Sequence, residues 1–127
     1  MIRVAIVDDD RKDIQQLQAY LEQYRRESGE AMDITVFTDG DEIAEGYRPR
    51  FDLILMDVEM RFLDGMSAAR EIRKTDPEVV IIFITNMAQY AIQGYEVDAL
   101  DYVLKPVSYF APGKRAGRRG SARPPAW

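Results

Sequence analysis

Four apolar runs in this sequence end in groups that can do chemistry together. Ile2 to Val7 runs into Asp8-Asp9-Asp10, Leu53 to Met56 into Asp57, Val79 to Ile84 into Thr85, and Ala99 to Leu104 into Lys105. Each group has a plain reading on its own: Asp57 as a turn residue, an N-terminal aspartate as a helix cap, Thr85 as a β-branched strand residue, Lys105 as solvated surface. The recurrence at all four runs argues for one shared site. Several carboxylates at one edge repel each other and raise one another's pKa unless a cation is present. An all-oxygen donor set favours Mg²⁺, Mn²⁺ or Ca²⁺ over zinc or copper. Mg²⁺ fits best, with Mn²⁺ as its substitute, since it keeps several waters and pairs with one or two carboxylates plus phosphate oxygens. A carboxylate can also act as a nucleophile and become an aspartyl phosphate. Asp57 is the candidate. Mg²⁺ would draw charge from the transferring phosphoryl group, Lys105 would supply a second cation, and the Thr85 hydroxyl would donate to a phosphoryl oxygen.

That chemistry needs a scaffold that carries strand ends to one edge. Leu53 to Met56 is unbroken apolar sequence, which suits a central parallel strand covered on both faces, and Val79 to Ile84 is the most β-branched run in the chain. Helical patterns lie between the strands. Ile14, Leu17, Leu21 and Tyr24 recur at three- and four-residue spacing, and that helix is expected to fail near Ser28-Gly29. Ile34 to Phe37 reads as a short second strand. Thr38 or Asp39 then caps a helix that turns Ile43, Ala44 and Tyr47 inward, is weakened at Gly46 and closes at Pro49. Val58 to Gly65 is a loop with Asp64-Gly65 as its turn signal, followed by a helix from Met66 to Lys74. A weaker helix, Met87 to Tyr95, precedes the last strand, Ala99 to Leu104. Five strands alternating with helices predict a doubly wound α/β sheet, parallel throughout, with function outside the carboxyl ends of its strands.

Composition narrows the chemistry further. The chain has 127 residues, enough for one core, and neither cysteine nor histidine. Thiolate metal sites, disulfides, histidine-based triads and histidyl phosphotransfer by this chain are therefore excluded. The first residues enter a strand without a signal-peptide layout, and no run reaches membrane-spanning length, so a cytoplasmic protein with no membrane partner is expected. The formal charge of -5 is uneven. Residues 1–110 hold 12 basic against 22 acidic residues, whereas 111–127 hold five basic and no acidic ones. The body thus offers no footprint for nucleic acid.

Taken together, Asp8-Asp9, Asp57, Asp64-Gly65, Thr85 and Lys105-Pro106 resemble the receiver domain of two-component response regulators over residues 1 to about 110. The resemblance implies a flavodoxin-like (CheY-like) five-stranded sheet in the order 2-1-3-4-5. It implies that Asp57 accepts a phosphoryl group from a sensor histidine kinase, catalysed largely by the receiver itself, with no turnover of an external substrate. By the same pattern Asp9 and Asp57 bind Mg²⁺ directly, the backbone carbonyl of Glu59 gives a third ligand, and Asp8 acts through a metal-bound water. Thr85 and Tyr102 form the switch. Two departures stand out: Met60-Arg61 replaces a frequent Met-Pro, removing a restraint on φ, and Asn86 stands where a smaller residue is frequent after the threonine. A cis peptide before Pro106 fits, since X–Pro bonds adopt it cheaply.

The run Gln89 to Val107 is similar to receivers joined to LytTR-type DNA-binding domains, so the output would be transcriptional and DNA binding would belong to a domain absent here. Residues 111–127, rich in Gly, Pro and Arg, break the pattern of a fifth helix and read as a disordered or non-native tail. A missing or incomplete last helix would leave side chains of the first and last strands partly uncovered and favour pairing through the face of the fourth helix and fifth strand. Two other functions share the chemistry: a haloacid-dehalogenase-like phosphatase, for which Glu59 only approximates the required second aspartate, and a non-phosphorylated interaction module on the same fold.

Overall fold

The computed structural model describes residues 1–86 and 96–105. The chain runs β1 (Ile2–Val7), α1 (Arg11–Ser28), β2 (Met32–Phe37), α2 (Gly40–Ala44), β3 (Leu53–Met56), α3 (Gly65–Thr75), β4 (Val80–Thr85) and β5 (Asp101–Leu104). All neighbouring strands are parallel, in the order β2-β1-β3-β4-β5. This is the doubly wound order expected. The expected helix over Met87 to Tyr95, the Lys105-Pro106 peptide geometry, the start of a fifth helix and the tail 111–127 lie outside the described residues.

Alternation along the strands divides the core into two layers. Ala5, Val7, Ile54, Met56, Ile81 and Phe83 face one way and pack with Ile43 of α2 and Met66, Ala69 and Ile72 of α3. Ile2, Val4, Ile6, Leu53, Leu55 and Ile82 face the other way and pack with Leu17 and Leu21 of α1. Helices on both faces bury both sides of the central strands, which is why β3 and β4 are apolar at every position.

β1 is fully sheltered apart from Arg3, contrary to the expectation that its side chains would be partly uncovered. It lies between β2 and β3 with α1 across one face, so no edge is left open. β5, at the sheet edge, is only partly buried, and Leu104 is exposed. α1 ends where Gly29 takes the left-handed conformation (φ 75°) that glycine adopts without strain, its N–H donating to the Arg25 carbonyl. α2 is shorter than its apolar spacing suggested, ending at Ala44. Tyr47 is still buried, but the chain reaches it through a turn at Gly46 (φ 63°) rather than a continued helix. β2 begins two residues before the expected Ile34, and β5 two after the expected Ala99.

Candidate functional site

The register sets the site. Val7 pairs with Met56 and Met56 with Phe83, so β1, β3 and β4 end side by side, and Thr85 pairs with Leu104 to bring β5 to the same edge. The backbone continues the ladder past the strand ends: Asp57 N–H donates to the Val7 carbonyl at 2.9 Å, Asp8 N–H to Phe37 at 3.1 Å, and Lys105 N–H to Thr85 at 2.9 Å. Asp8, Asp57 and Lys105 are therefore held by sheet hydrogen bonds and not by a loose loop.

Asp10 caps α1, its side chain accepting from the N–H groups of Lys12 and Asp13, so it is the capping member of the triplet. Asp8 is 1% exposed and Asp57 8%, while Asp9 reaches solvent. One carboxylate oxygen from each of Asp8, Asp9 and Asp57 lies within 4.8 Å of the others. Lys105 Nζ donates to Asp8 Oδ2 at 2.9 Å, Asp57 Oδ2 at 3.2 Å and Asp13 Oδ2 at 2.6 Å. The second oxygen of Asp8 accepts from Asp10 N–H at 2.9 Å. Asp57 Oδ1, by contrast, is buried without a hydrogen-bond partner.

Charge explains the ionisation of these groups. Burial pushes the Asp8 carboxyl up to about 6, against the pull of the Asp10 N–H and Lys105. Burial and then the neighbouring Asp57 also raise Asp9. For Lys105 burial alone would lower the ammonium, but hydrogen bonds to Asp13 and Asp8 and the charge of Asp57 carry it well above its ordinary value. Lys105 moves upward because every neighbouring carboxylate favours its charge, whereas Asp8 moves upward because burial outweighs its share of that one cation. Positive charge is in deficit at this edge. An orphaned carboxylate oxygen beside two further carboxylates is the donor set that a hard, oxygen-loving divalent cation fills, so the residues present fit Mg²⁺.

The loop after Asp57 is fixed from two directions. Gly65 N–H donates to the Val58 carbonyl at 2.7 Å, and any Cβ on Gly65 would strike the Asp57 carbonyl, so only glycine lets α3 start this close to Asp57. Asp64 caps α3 through Ser67 N–H at 2.9 Å. From the other side, buried Asp39 accepts from Phe62 N–H at 2.9 Å and Leu63 N–H at 2.8 Å, and these bonds hold its carboxyl below the usual range despite burial. Asp39 thus supplies a restraint on the loop that has Arg61 in place of proline.

Residues 4–110 match the family model of the response regulator receiver domain. The chain belongs to that family. This receiver is 30% identical over 115 residues to the transcriptional regulatory protein NatR of Bacillus subtilis, covering 87% of this chain and 46% of NatR. It is 33% identical over 108 residues to the sensory transduction protein LytT of Bacillus cereus, covering 84% of this chain and 42% of LytT. The receiver thus spans less than half the length of these curated relatives. Among solved structures, the receiver domain of a sensor histidine kinase from Pseudomonas aeruginosa, with a magnesium ion in its active-site cleft, superposes with a TM-score of 0.76 at 26% identity, covering 92% of this chain and 95% of that one.

The structure brings Asp8, Asp9, Asp57 and Lys105 of this receiver together. Thr85 is fully buried at the end of β4 on the same edge, and Asn86 beside it is exposed. Glu59 lies two residues past Asp57 with its side chain exposed. Tyr102 packs its ring 5.9 Å from that of Phe83, against the core. Asp13 is the site residue that sequence reasoning missed. Its signal was its place in the first turn of α1, three residues after the cap, on the same edge as the strand ends.

Proposed function

We propose that this receiver is the phosphoacceptor of a two-component signalling system and that Asp57 takes the phosphoryl group. The observation that carries this reading is the state of its carboxylate: buried at the end of a stiff strand, one oxygen held by Lys105 and the other without a partner, beside Asp8 and Asp9. In the transfer an Asp57 oxygen attacks the phosphorus of a phosphohistidine. A new O–P bond forms as the P–N bond breaks, and the departing electron pair stays on the imidazole nitrogen. Lys105 and the Thr85 hydroxyl donate to the phosphoryl oxygens as negative charge gathers there. Asp9, Asp57 and the Glu59 carbonyl would hold Mg²⁺, with Asp8 bound through water. The metal, when bound, neutralises charge on the phosphoryl group. Thr85 moving toward the phosphoryl group would open space for Tyr102, already packed beside Phe83, to turn further inward, changing the face that carries β5.

Residues 1–110 form the acting unit in this reading. The phosphodonor is a sensor histidine kinase in the cytoplasm, and the face that carries β5 pairs activated copies. The similarity of Gln89 to Val107 to LytTR-type receivers supports a transcriptional output through a DNA-binding domain outside this chain. A phosphatase would need an acid beyond Asp57 turned to the site, and the Glu59 side chain is exposed. Intact mass after exposure to acetyl phosphate decides: one adduct that needs both Mg²⁺ and Asp57 supports the phosphoacceptor. Turnover of many equivalents of a phosphomonoester, or no adduct at saturating reagent, would reject it.

A further inference from the structure

Lys105 has three N–H donors, and the described residues occupy all of them. Their lengths run against expectation for a lysine that serves Asp57. The shortest contact is to Asp13, at 2.6 Å, followed by Asp8 at 2.9 Å and Asp57 at 3.2 Å. Asp13 belongs neither to the three-carboxylate cluster nor to a strand; it projects from the first turn of α1. Its side chain is 30% exposed, against 2% for Asp8 and 10% for Asp57. Without a bound metal, a buried carboxylate that Lys105 left would lack both water and a cation, which is costly. Asp13 alone of the three can release the ammonium and be solvated in its place.

We propose that Asp13 is a positioning residue for Lys105, holding the ammonium toward α1 in the unphosphorylated receiver and yielding it to the phosphoryl group when Asp57 is modified. This rests on the reading of Asp57 as phosphoacceptor. Asp13 then competes with the incoming phosphoryl oxygens for the same donor. Asp13→Asn keeps the shape, removes the charge and frees Lys105, so transfer is faster. Removing any negative charge beside an anionic donor could also speed transfer through the general field. The two causes separate in a double-mutant cycle, because only the proposed one acts through Lys105.

The test uses the full 127-residue chain with Mg²⁺ and acetyl phosphate, following the Asp57 adduct by intact mass over time. Asp13→Asn is expected to phosphorylate about fivefold faster than the parent, Asp13→Glu to return toward the parent rate, and Asp13→Asn to have no effect in a Lys105→Ala background. Independently of any phosphodonor, the ε-methylene NMR signals of Lys105 shift in Asp13→Asn and in Asp13→Ser, the second uncharged variant guarding against misfolding of the first. An equal acceleration in the Lys105→Ala background, or a rate and Lys105 signals unchanged by loss of the Asp13 charge, overturns the proposal while leaving the phosphoacceptor reading intact. An unmodified parent chain would instead reject that reading, and this inference with it.

Discussion

Asp57 and Asp76 are both buried carboxylates, at opposite ends of the same strands, and their surroundings are unlike. Asp76, between α3 and β4, accepts from Tyr47 Oη at 2.7 Å, from Glu78 N–H at 3.2 Å and from Val79 N–H at 3.1 Å. Next to it Arg73 spends its guanidinium on four carbonyls, those of Val97, Asp76, Val79 and Asp98, tying the end of α3 to the turn that enters β5. At the other end, Asp57 keeps an unpartnered oxygen and Asp8 is pushed toward its neutral form. One edge is satisfied by its own chain; the other leaves a carboxylate oxygen unpartnered among crowded carboxylates. Satisfied polar networks hold a fold together, whereas uncompensated charge marks a place where binding energy is to be gained.

The sharpest way to break the comparison is at Asp57. Asp57→Asn should abolish the acetyl phosphate adduct while leaving the metal-free chain at least as resistant to urea as the parent, because a crowded carboxylate has been removed. Mass spectrometry and urea unfolding check both halves. A clear loss of stability would mean that this edge, too, is a structural network.

Asp76→Ala should do the reverse. It strips partners from a buried hydroxyl and two N–H groups, so it should destabilise by about 3 kcal/mol. In urea, the midpoint should fall. The rate of Asp57 phosphorylation in the folded fraction should be unchanged, because Asp76 lies at the far edge of the sheet.

The asymmetry between these edges was only half legible in the sequence. The reactive edge announced itself, because strand-end Asp, Thr and Lys are residue types that carry chemistry, and β1 and β3 have their expected bounds because their apolar runs end in charge. The satisfied edge did not. Arg73 binds carbonyls, which every residue possesses, so no pattern of side chains foretells its partners. The same blindness shortened β5: Asp98 adopts φ 53°, and with Arg73 holding the carbonyls of residues 97 and 98, Ala99 and Leu100 enter from a turn. Asp13 was passed over because a charged residue on an amphipathic helix reads as a solvated face, whereas the first turn of α1 places it against Lys105.

A smaller effect should appear at Asp8. Its carboxyl ionises near 6 when folded against 3.8 as the reference value, so between those values the folded chain binds more protons than the unfolded one. Stability of the metal-free chain therefore falls as pH rises through that window. Asp8→Asn removes the penalty. The variant should gain on the order of 2 kcal/mol over the parent above pH 6 and nearly nothing below pH 4. Adding Mg²⁺ should stabilise the parent more at pH 7.5 than at pH 5, since the cation favours the ionised carboxylate. A gain for Asp8→Asn that is the same at both ends of the pH range would show that repacking, not ionisation, sets it.

The smallest effect, and the finest test of the contrast, belongs to Tyr47. Its ring is buried beside Phe51, with centroids 6.5 Å apart, and its hydroxyl meets Asp76 at the far edge. Burial, with the hydrogen bond to Asp76 and that residue's charge, raises the phenol well above its ordinary ionisation range, so it stays a neutral donor at any pH the fold survives. Tyr47→Phe keeps the ring and deletes the donor. Asp76 Oδ2 then loses its hydroxyl partner while Oδ1 keeps both backbone bonds, so the loss should be about 1 kcal/mol, well below that of Asp76→Ala. In the double variant Tyr47→Phe, Asp76→Ala the two losses should not add, because both remove the same bond. Additive losses in urea unfolding would mean that Tyr47 and Asp76 stabilise the chain separately and that the satisfied edge is not a single network.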